Sequence, residues 1–583
     1  MDGEDPFTAE QELNEEGLNE TQNKKETLQK IVIGFALLII LGVIVAIVIL
    51  SLRNRDTTSD QSQISCIYNI QSITEKTRLF NELITKNNLT DLTLVIDGNN
   101  TVNFTDFYQF ETLGQHNVSI QVKGDINLDN MFNGISSLIL IELKSPQKFK
   151  ITSMENTFTS CTNLVSFSLS GFDTSEVKSM ANLFKSCSQL SKIDLSEFNT
   201  KNVENMSNMF QNCAITKLNV SSFNTTNVND LSGMFQLCSS LKEIDVSNFN
   251  TENAKNMSRM FYYCDSLNNL NLNNFKTPKV TDMQEMFDGC GKLEQLNLDN
   301  FDTTQVKSFS YMFFFCRSLT SLNLKSFNTK SATDFSSMFR ECSSLKELEV
   351  SNFDTSNAVD LSYMFASLNS LTSLDASKLS TTNAIRTNNM FENCENLKEL
   401  DVSKFETNKV EYMGKMFYNC HSLTNLDVSN FKTDNVKDMN RMFGKLVSLK
   451  KLDVSSFNTN KVTEIDGMFA YDENLESLDV SKFDTSNVRN MIDLFYGCGK
   501  LTSLDVSKFN TSKVGMMYGM FGKCSGLTEL DLSSFDVGNC NNFYEMFEDC
   551  KGLTIALDPE SQSFNIFLNI IPEYVTIKNA TLF

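Results

Sequence analysis

Apolar residues recur along most of the chain with a period of 26 residues. Phe stands at seventeen successive repeat positions from Phe132 to Phe547, and every step between them is 26 residues except one of 25. A second Phe column runs from Phe172 to Phe535, with Leu379 as its single substitution. A period of this length is typical of stacked repeats and not of several unrelated domains.

One repeat, residues 501–526, shows which elements the pattern predicts. Apolar and polar residues alternate from Leu504 to Ser507, which indicates a short strand with one buried face. Five apolar residues of the second half are spaced by three, three, one and three, which is typical of a helix with one inward face. They are Val514, Met517, Met520, Phe521 and Cys524.

These units predict an α/β solenoid of strand-plus-helix repeats, since a single unit cannot bury its own apolar face but stacked neighbours can. Sixteen strand cores recur between residues 142 and 531. Two weaker cores precede them, at Leu94 with Ile96 and at Ile120 with Val122. We therefore expect about 18 rungs, with the strands aligned in one parallel sheet and the helices covering its other side.

The flanking segments depart from the repeat. Residues 1–30 carry nine acids and three lysines, without a hydrophobic period, and should be a disordered tail. Residues 53–131 should hold a linker, an N-terminal cap and degenerate repeats, with a helix near residues 68–84. The 26-residue repeats occupy residues 132–550. Residues 551–583 are apolar and β-prone and should form the C-terminal cap that hides the last rung.

Residues 31–52 form a run of 22 residues without a charge. As a helix, the run would be about 33 Å long, enough to cross a bilayer core of about 30 Å. A cleaved signal peptide is the alternative, but 30 residues precede the run and nine of them are acidic. We expect one transmembrane helix in the plasma membrane. The flanking Lys and Arg nearly balance, and the large following domain favours a cytoplasmic N-terminus and an extracellular repeat domain.

The consensus L-x-x-L-D-V-S-x-F-(N/D)-T-x-x-V-x-x-M-x-x-M-F-x-x-C resembles the BspA-like branch of leucine-rich repeat proteins, over residues 132–557. The resemblance implies a right-handed, leucine-rich-repeat-like stack. It also implies an extracellular role in surface attachment and in binding host or matrix proteins. The chain differs from bacterial members because it has no cleavable signal, lipobox or wall-sorting C-terminus; the predicted membrane anchor replaces them.

Thirteen of the 15 Cys stand three residues after the first Phe column. Ile135, Leu368, Leu446 and Asp472 occupy the same slot in other repeats. A slot that accepts Leu is apolar, so we expect buried cysteines with free thiols; a ladder of disulfides is the alternative. No C-x-x-C pair is present, so no metal site is expected.

Thr follows the second Phe column by two residues in 14 repeats, from Thr174 to Thr511. The position lies at the corner between the predicted strand and helix. We interpret it as a turn or helix-start residue whose hydroxyl satisfies backbone donors. The alternative is a flat array of Thr that recognises a lattice such as ice.

The outward strand position holds Asp in seven consecutive repeats and predicts an acidic stripe on the concave sheet face, which we call the Asp column. Its members are Asp375, Asp401, Asp427, Asp453, Asp479, Asp505 and Asp531. A Lys follows four of them by three residues, at Lys378, Lys404, Lys482 and Lys508. Two interpretations stay open: a solvated face whose repulsion Ser and Lys relieve, and a surface that binds calcium or a basic ligand.

Composition narrows the function further. The net charge of −22 excludes a basic face for nucleic acid. The chain has two His, His116 and His421, both expected on the surface, and carries no phosphate loop or hydrolase motif, so we expect neither an enzyme nor a cofactor. The predicted function is a membrane-anchored cell-surface protein that binds an extracellular protein or glycan through its concave sheet. A rigid acidic coat, or an intracellular scaffold if the topology is reversed, are the alternatives.

Overall fold

The computed structural model describes residues 61–82 and 92–579. The predicted acidic tail and transmembrane segment lie outside these residues. Among the residues that are described, no helix combines the length and the hydrophobicity needed to cross a bilayer. The repeats form a β-solenoid, in which each rung pairs with the next through parallel contacts.

The described elements are mainly very short strands. They are β1 (Gln63–Ile70), β2 (Thr77–Arg78), β3 (Thr93–Ile96), β4 (Asn100–Asn103), β5 (Phe107–Tyr108), β6 (Gly114–Gln121), β7 (Ile126–Asn127), β8 (Leu138–Lys144), β9 (Ile151–Ser153), β10 (Ser166–Ser170), β11 (Lys192–Ile193), β12 (Lys217–Leu218), β13 (Glu243–Ile244), β14 (Asn269–Leu270), β15 (Gln295–Leu296), β16 (Ser321–Leu322), β17 (Ser373–Leu374), β18 (Glu399–Leu400), β19 (Glu529–Asp531), β20 (Thr554–Leu557), α1 (Phe564–Ile570) and β21 (Thr576–Asn579).

The first rungs are covered by antiparallel strands. In the seven-stranded sheet the order is β11-β10-β8-β1-β6-β3-β4, and β1 pairs antiparallel with both β6 and β8. The two weak rungs expected before residue 132 are therefore wrong, because Leu94 pairs antiparallel with Ile120. The helix expected at residues 68–84 is also wrong over the described part: Tyr68 lies within β1, where Cys66 and Tyr68 are buried in the core, and β2 follows.

In the repeats, the first half of each rung is called the strand half, and in most rungs it contributes a strand, usually of two residues. Among the described rungs, those of Leu348, Leu426, Leu452, Leu478 and Leu504 have no assigned strand there. Successive strands pair in parallel with a register of one repeat, as Leu296 does with Leu322. The expected parallel pairing and the 26-residue stacking are confirmed. The strands are shorter than the alternation suggested, because the chain turns directly after the second strand residue.

The second half of each rung, from the Val to the Cys of the consensus, is the turn half, and it is not helical. Backbone N–H groups there bond to the next rung: Phe339 N donates to Met364 O at 3.0 Å, and Ser337 N to Ser362 O at 2.8 Å. Single-residue parallel bridges continue this ladder from Ser179 to Asn542. The expected covering helices are therefore wrong.

The physical reason is a succession of tight turns. Met338 N donates to Phe335 O and Cys342 N to Phe339 O, both three residues back and not four. Ser337 and Glu341 have φ of 56° and 62°, which a helix does not contain. Turns that advance three residues at a time place apolar side chains inward at intervals of three, which imitates the helical period.

The core is an unbroken column of Phe rings. All seventeen residues of the first Phe column stack on their neighbours, with ring centroids 5.4 to 6.0 Å apart.

At the C-terminal end, β19, β20 and β21 form a parallel sheet, with Phe567 of α1 buried against the core.

Candidate functional site

The Asp column lies at the end of the strand half, and its side chains are fixed by local turns. Asp375 and Asp401 directly follow β17 and β18, and Asp531 is the last residue of β19. Six of the seven Asp are exposed, and Asp531 is half-buried. In every case one carboxylate oxygen accepts the backbone N–H of the Ser two residues later, at 2.9 to 3.1 Å. Each Asp therefore forms a side-chain turn at the end of its strand half.

These hydrogen bonds also favour the ionised form of five members of the column. The side-chain and backbone hydrogen bonds from Ser455 hold the pKa of Asp453 below its usual value, although the neighbouring carboxylates of Asp427 and Asp479 act to raise it. Lys378 makes a smaller contribution in the same direction at Asp375, after the hydrogen bonds from Ser377. The pKa is lowered in the same way at Asp401, Asp427 and Asp479, so these five carboxylates do not need a cation to stay charged.

In earlier rungs, the position of the Asp column also holds Asn or Glu. A hydrogen-bond acceptor is therefore common to these rungs, whereas a negative charge is not. Asn271 and Asn297 accept the same backbone N–H at 3.1 and 3.0 Å, and Glu349 does so at 3.0 Å. In the described part of the chain, no group of three or more His, Cys, Asp and Glu side chains is placed to hold a metal ion. Binding of a ligand at the Asp column stays a prediction.

The thirteen cysteines that stand three residues after the first Phe column, which we call the Cys column, are buried free thiols, as expected. No disulfide links any of the 15 cysteines. Each thiol of this column donates to the carbonyl of the Phe one rung earlier; Cys342 Sγ lies 3.0 Å from Phe313 O. Burial raises the pKa of these thiols, that of Cys161 to about 12. Cys therefore serves here as a small apolar residue that also satisfies a buried carbonyl.

Thiol reactivity in the native chain is expected to be almost confined to Cys540, which is the only half-buried cysteine among the 15. The nucleophile is the thiolate, which the buried thiols rarely form. Titration with a chromogenic disulfide should find about one fast thiol in the folded protein. The unreduced protein in denaturant should show nearly all 15; recovery of a few would contradict the free-thiol assignment.

The Thr column bridges neighbouring rungs, which confirms its interpretation as a turn residue that satisfies backbone groups. Thr355, almost fully buried, donates its hydroxyl to Ser380 O at 2.8 Å and accepts Ser380 N–H at 2.8 Å. One hydroxyl thus satisfies both backbone groups of a residue in the next rung. Because the column is buried, it is not available as a flat recognition surface, and the lattice-binding alternative is wrong.

Replacing Thr355 by Val keeps the side-chain shape and removes both bonds to Ser380. We expect the free energy of unfolding to fall by about 1–3 kcal/mol, since a buried N–H and a buried C=O lose their partner. Chemical denaturation should measure the change. Thr382→Val, at an exposed position in the next rung, is the control and should change stability by less than about 0.5 kcal/mol. Equal effects of the two substitutions would contradict the assignment.

The two histidines differ in environment. His116 is buried and not on the surface as expected: its ring contacts Asp97 Oδ2 at 2.8 Å and Thr112 O at 2.9 Å. It lies in the antiparallel cap, and β6 turns it inward. His421 is half-buried and lines a cavity of about 620 Å³ on the turn half, together with Arg441 and Lys445.

Aromatic and arginine side chains are also partly exposed on the turn half. The predicted helices did not indicate this feature. Arg340 lies over the rings of Tyr363 and Phe314, with 4.4 and 5.4 Å to the centroids, and Arg317 lies 4.5 Å from the centroid of Phe315. Tyr and Arg are enriched at the energetic centres of interfaces. The turn half is therefore a second candidate surface beside the Asp column.

Comparisons with solved structures find distant likenesses. A chain from the "Crystal structure of TLR13-ssRNA13 complex" is 17% identical, with a TM-score of 0.19, and the alignment covers 70% of this chain and 65% of that one. A chain from the "Structure of the Toll - Spatzle complex", of Drosophila, is 13% identical, with a TM-score of 0.19, covering 79% and 55%. The protein spans less than two thirds of either receptor chain. At these TM-scores the likenesses do not bear on its fold or function.

No curated protein matches the chain. A family model described as "Mycoplasma protein of unknown function, DUF285" matches it in six overlapping segments: residues 126–243, 214–295, 268–378, 307–419, 385–481 and 471–565. Together these segments cover residues 126–565, about three quarters of the chain, and they coincide with the stacked rungs described above. The protein is thus a member of the DUF285 repeat family.

Proposed function

We propose that the protein is a non-enzymatic binding scaffold that presents its rungs to an extracellular protein or glycan. The proposal rests on the difference between the inward and the outward positions of each rung. Inward positions repeat the same Phe, Met, Thr and Cys, whereas many outward positions beside the Asp column change from rung to rung. A constant core with a varied surface is what an extended recognition array requires.

The proposed location is the outer face of the plasma membrane. The uncharged run at residues 31–52 supports a single anchoring helix with the N-terminus in the cytoplasm. The resemblance of the repeat consensus to BspA-like surface proteins supports the same placement. Protease added to intact cells should then remove residues 53–583 and spare the N-terminal tail. Full protection of the repeats would contradict an extracellular location.

The Asp column is the proposed contact for a cationic partner or for calcium. Replacing all seven Asp by Asn tests it without disturbing the rungs, because Asn already makes the same turn at Asn271 and Asn297. We expect the variant to fold and to lose calcium binding in calorimetry, or adhesion of chain-bearing cells to immobilised matrix proteins and glycans. Binding should weaken with salt. Unchanged binding at low salt would exclude the Asp column.

A rigid acidic coat is the second candidate, and the monotony of the Asp column favours it. In that case charge and length matter more than any ligand, and the seven-Asp variant should change the electrophoretic mobility of cells without changing their adhesion. An intracellular scaffold is the alternative if the topology is reversed, and the free thiols are compatible with it. The protease experiment separates this last candidate from the other two.

A further inference from the structure

A cavity lies on the turn half where the slot directly after the first Phe column holds a small residue. Four successive rungs carry Tyr418, Gly444, Ala470 and Tyr496 in this slot. Of these, Tyr418 and Ala470 line an opening of about 620 Å³, which we call the notch. Its size falls in the range of small-ligand sites, about 300–1,000 Å³.

The notch contains a cation that has no carboxylate partner. The Lys445 ammonium lies 5.5 and 5.8 Å from the ring centroids of Tyr418 and Tyr471, and it forms no ion pair within the described residues. The lysine in the same slot of a later rung is paired: Lys523 lies 3.7 Å from Glu548. In a chain with a net charge of −22, an unneutralised ammonium in a cavity points to an anionic ligand.

The remaining lining narrows the class of ligand. Glu473 and Asp493 also line the notch, beside His421. Carboxylates accept hydrogen bonds from hydroxyl groups, so a ligand for the notch should carry hydroxyl donors beside its acidic group. The ring of Tyr471, which is 41% exposed, offers a flat apolar face. An acidic group, several hydroxyl donors and a C–H face occur together in acidic sugars.

We infer that the notch binds a carboxylated or sulfated oligosaccharide. Lys445 contacts the acid group, Tyr418 and Tyr471 pack on the sugar rings, and Glu473 and His421 bond to hydroxyl groups. The inference rests on the proposed function, since it names the ligand class of one surface of the binding scaffold. The inference places this ligand-binding surface on the turn half, whereas the Asp column lies on the strand half.

Calorimetric titration of the full chain tests the inference with three probes: a hyaluronan hexasaccharide, a heparin hexasaccharide and neutral maltohexaose. We expect one or both acidic hexasaccharides to bind, with an affinity that falls as salt rises, and maltohexaose not to bind. The acidic probe that binds identifies the carboxylate or the sulfate as the recognised group. Lys445→Gln and Tyr471→Ala should each weaken binding by about tenfold or more.

Matched controls occupy the same slots in other rungs. Lys523→Gln removes a lysine that is already paired, and Tyr263→Ala removes a tyrosine of similar exposure, 37%. Both variants should bind as the wild type does. Three results would overturn the inference: failure of both acidic probes to bind, equal binding of maltohexaose, or an unchanged affinity of Lys445→Gln.

A hexaglutamate peptide separates the carbohydrate from an acidic protein partner. Binding of this peptide as tight as that of the hexasaccharides would overturn the assignment to sugars. The seven-Asp variant retains every residue of the notch, so the two hypotheses fail separately. Failure of saccharide binding with retained, Asp-dependent adhesion would remove the notch and leave the binding scaffold standing.

Discussion

Phe339→Ala is expected to lower the free energy of unfolding by about 3–5 kcal/mol, the usual cost of truncating a buried Phe. The ring is fully buried and stacks between Phe313 and Phe365, with centroids 5.8 and 5.9 Å away. Truncation removes both stacking contacts and leaves a cavity, because the rungs on either side are held by their own ladder bonds and cannot close the gap. Denaturation in urea measures the loss.

Coupling between rungs extends the expected effect beyond residue 339. Each rung is stabilised through its neighbours, so hydrogen exchange should accelerate in the adjacent rungs, around residues 313 and 365, before it does at the ends of the array. Phe107→Ala, at a 41% exposed ring in the cap, is the control and should cost less than about 1 kcal/mol. If Phe339→Ala unfolds at the wild-type midpoint, the assigned register of the core is wrong.

The repeat architecture could be predicted because the inward residues hardly vary. Seventeen Phe at nearly constant spacing fix the rung length and the parallel register whatever the local backbone conformation is. The burial of the Cys and Thr columns followed from the same argument. Leu368 in the Cys slot marked that slot as apolar, and the structure indeed buries both Leu368 and the thiols.

The backbone of the turn half could not be predicted from spacing alone. Inward residues at intervals of three to four are compatible with a helix and with consecutive three-residue turns. The difference lies in hydrogen bonds to the next rung, such as Phe339 N to Met364 O, which no pattern within one repeat reveals. Recurrent Asn two residues after Met, as at Asn182 and Asn208, was the available signal, since Asn favours positive φ.

The candidate surfaces were predictable in unequal measure. The Asp column was found, but its turn-forming role was missed, although the D-x-S spacing of Asp505 and Ser507 signals a local side-chain turn. The notch was not found. It is lined by residues of neighbouring rungs, such as Tyr418, Lys445 and Tyr471, and this becomes visible only when the turn half is aligned as a ladder.

Asp472 is expected to make the stability of the chain depend on pH. It occupies the Cys slot, is 1% exposed, and accepts Leu446 N–H at 2.8 Å through one carboxylate oxygen. Within the described residues its other oxygen has no partner. Burial raises the pKa of Asp472 well above its ordinary value of 3.8, which favours the protonated carboxyl in the folded chain. A protonated carboxyl can donate as the thiol of Cys498 does to Phe469 O.

The direction of the effect follows from proton linkage. The unfolded chain ionises Asp472 above about pH 4, whereas the folded chain keeps the proton. The stability contributed by the neutral acid is therefore complete below pH 4 and is lost as the pH rises, by about 1.4 kcal/mol per unit, until the pH reaches the folded-state pKa. Asp472→Cys restores the consensus thiol and should remove this loss.

Urea denaturation of the wild type and of Asp472→Cys between pH 4.5 and pH 7.5 gives the measurement. We expect the free energies of unfolding to differ little at pH 4.5 and to diverge steadily above it, with the variant the more stable. Other carboxyls with a raised pKa, such as Asp288 and Asp466, contribute equally to the pH dependence of both proteins, so their effect cancels in the comparison. Cys498→Asp, in the next rung, should install the same dependence. Parallel pH profiles of wild type and Asp472→Cys would show that Asp472 is ionised in the folded chain, and the buried position would then require a partner for its charge.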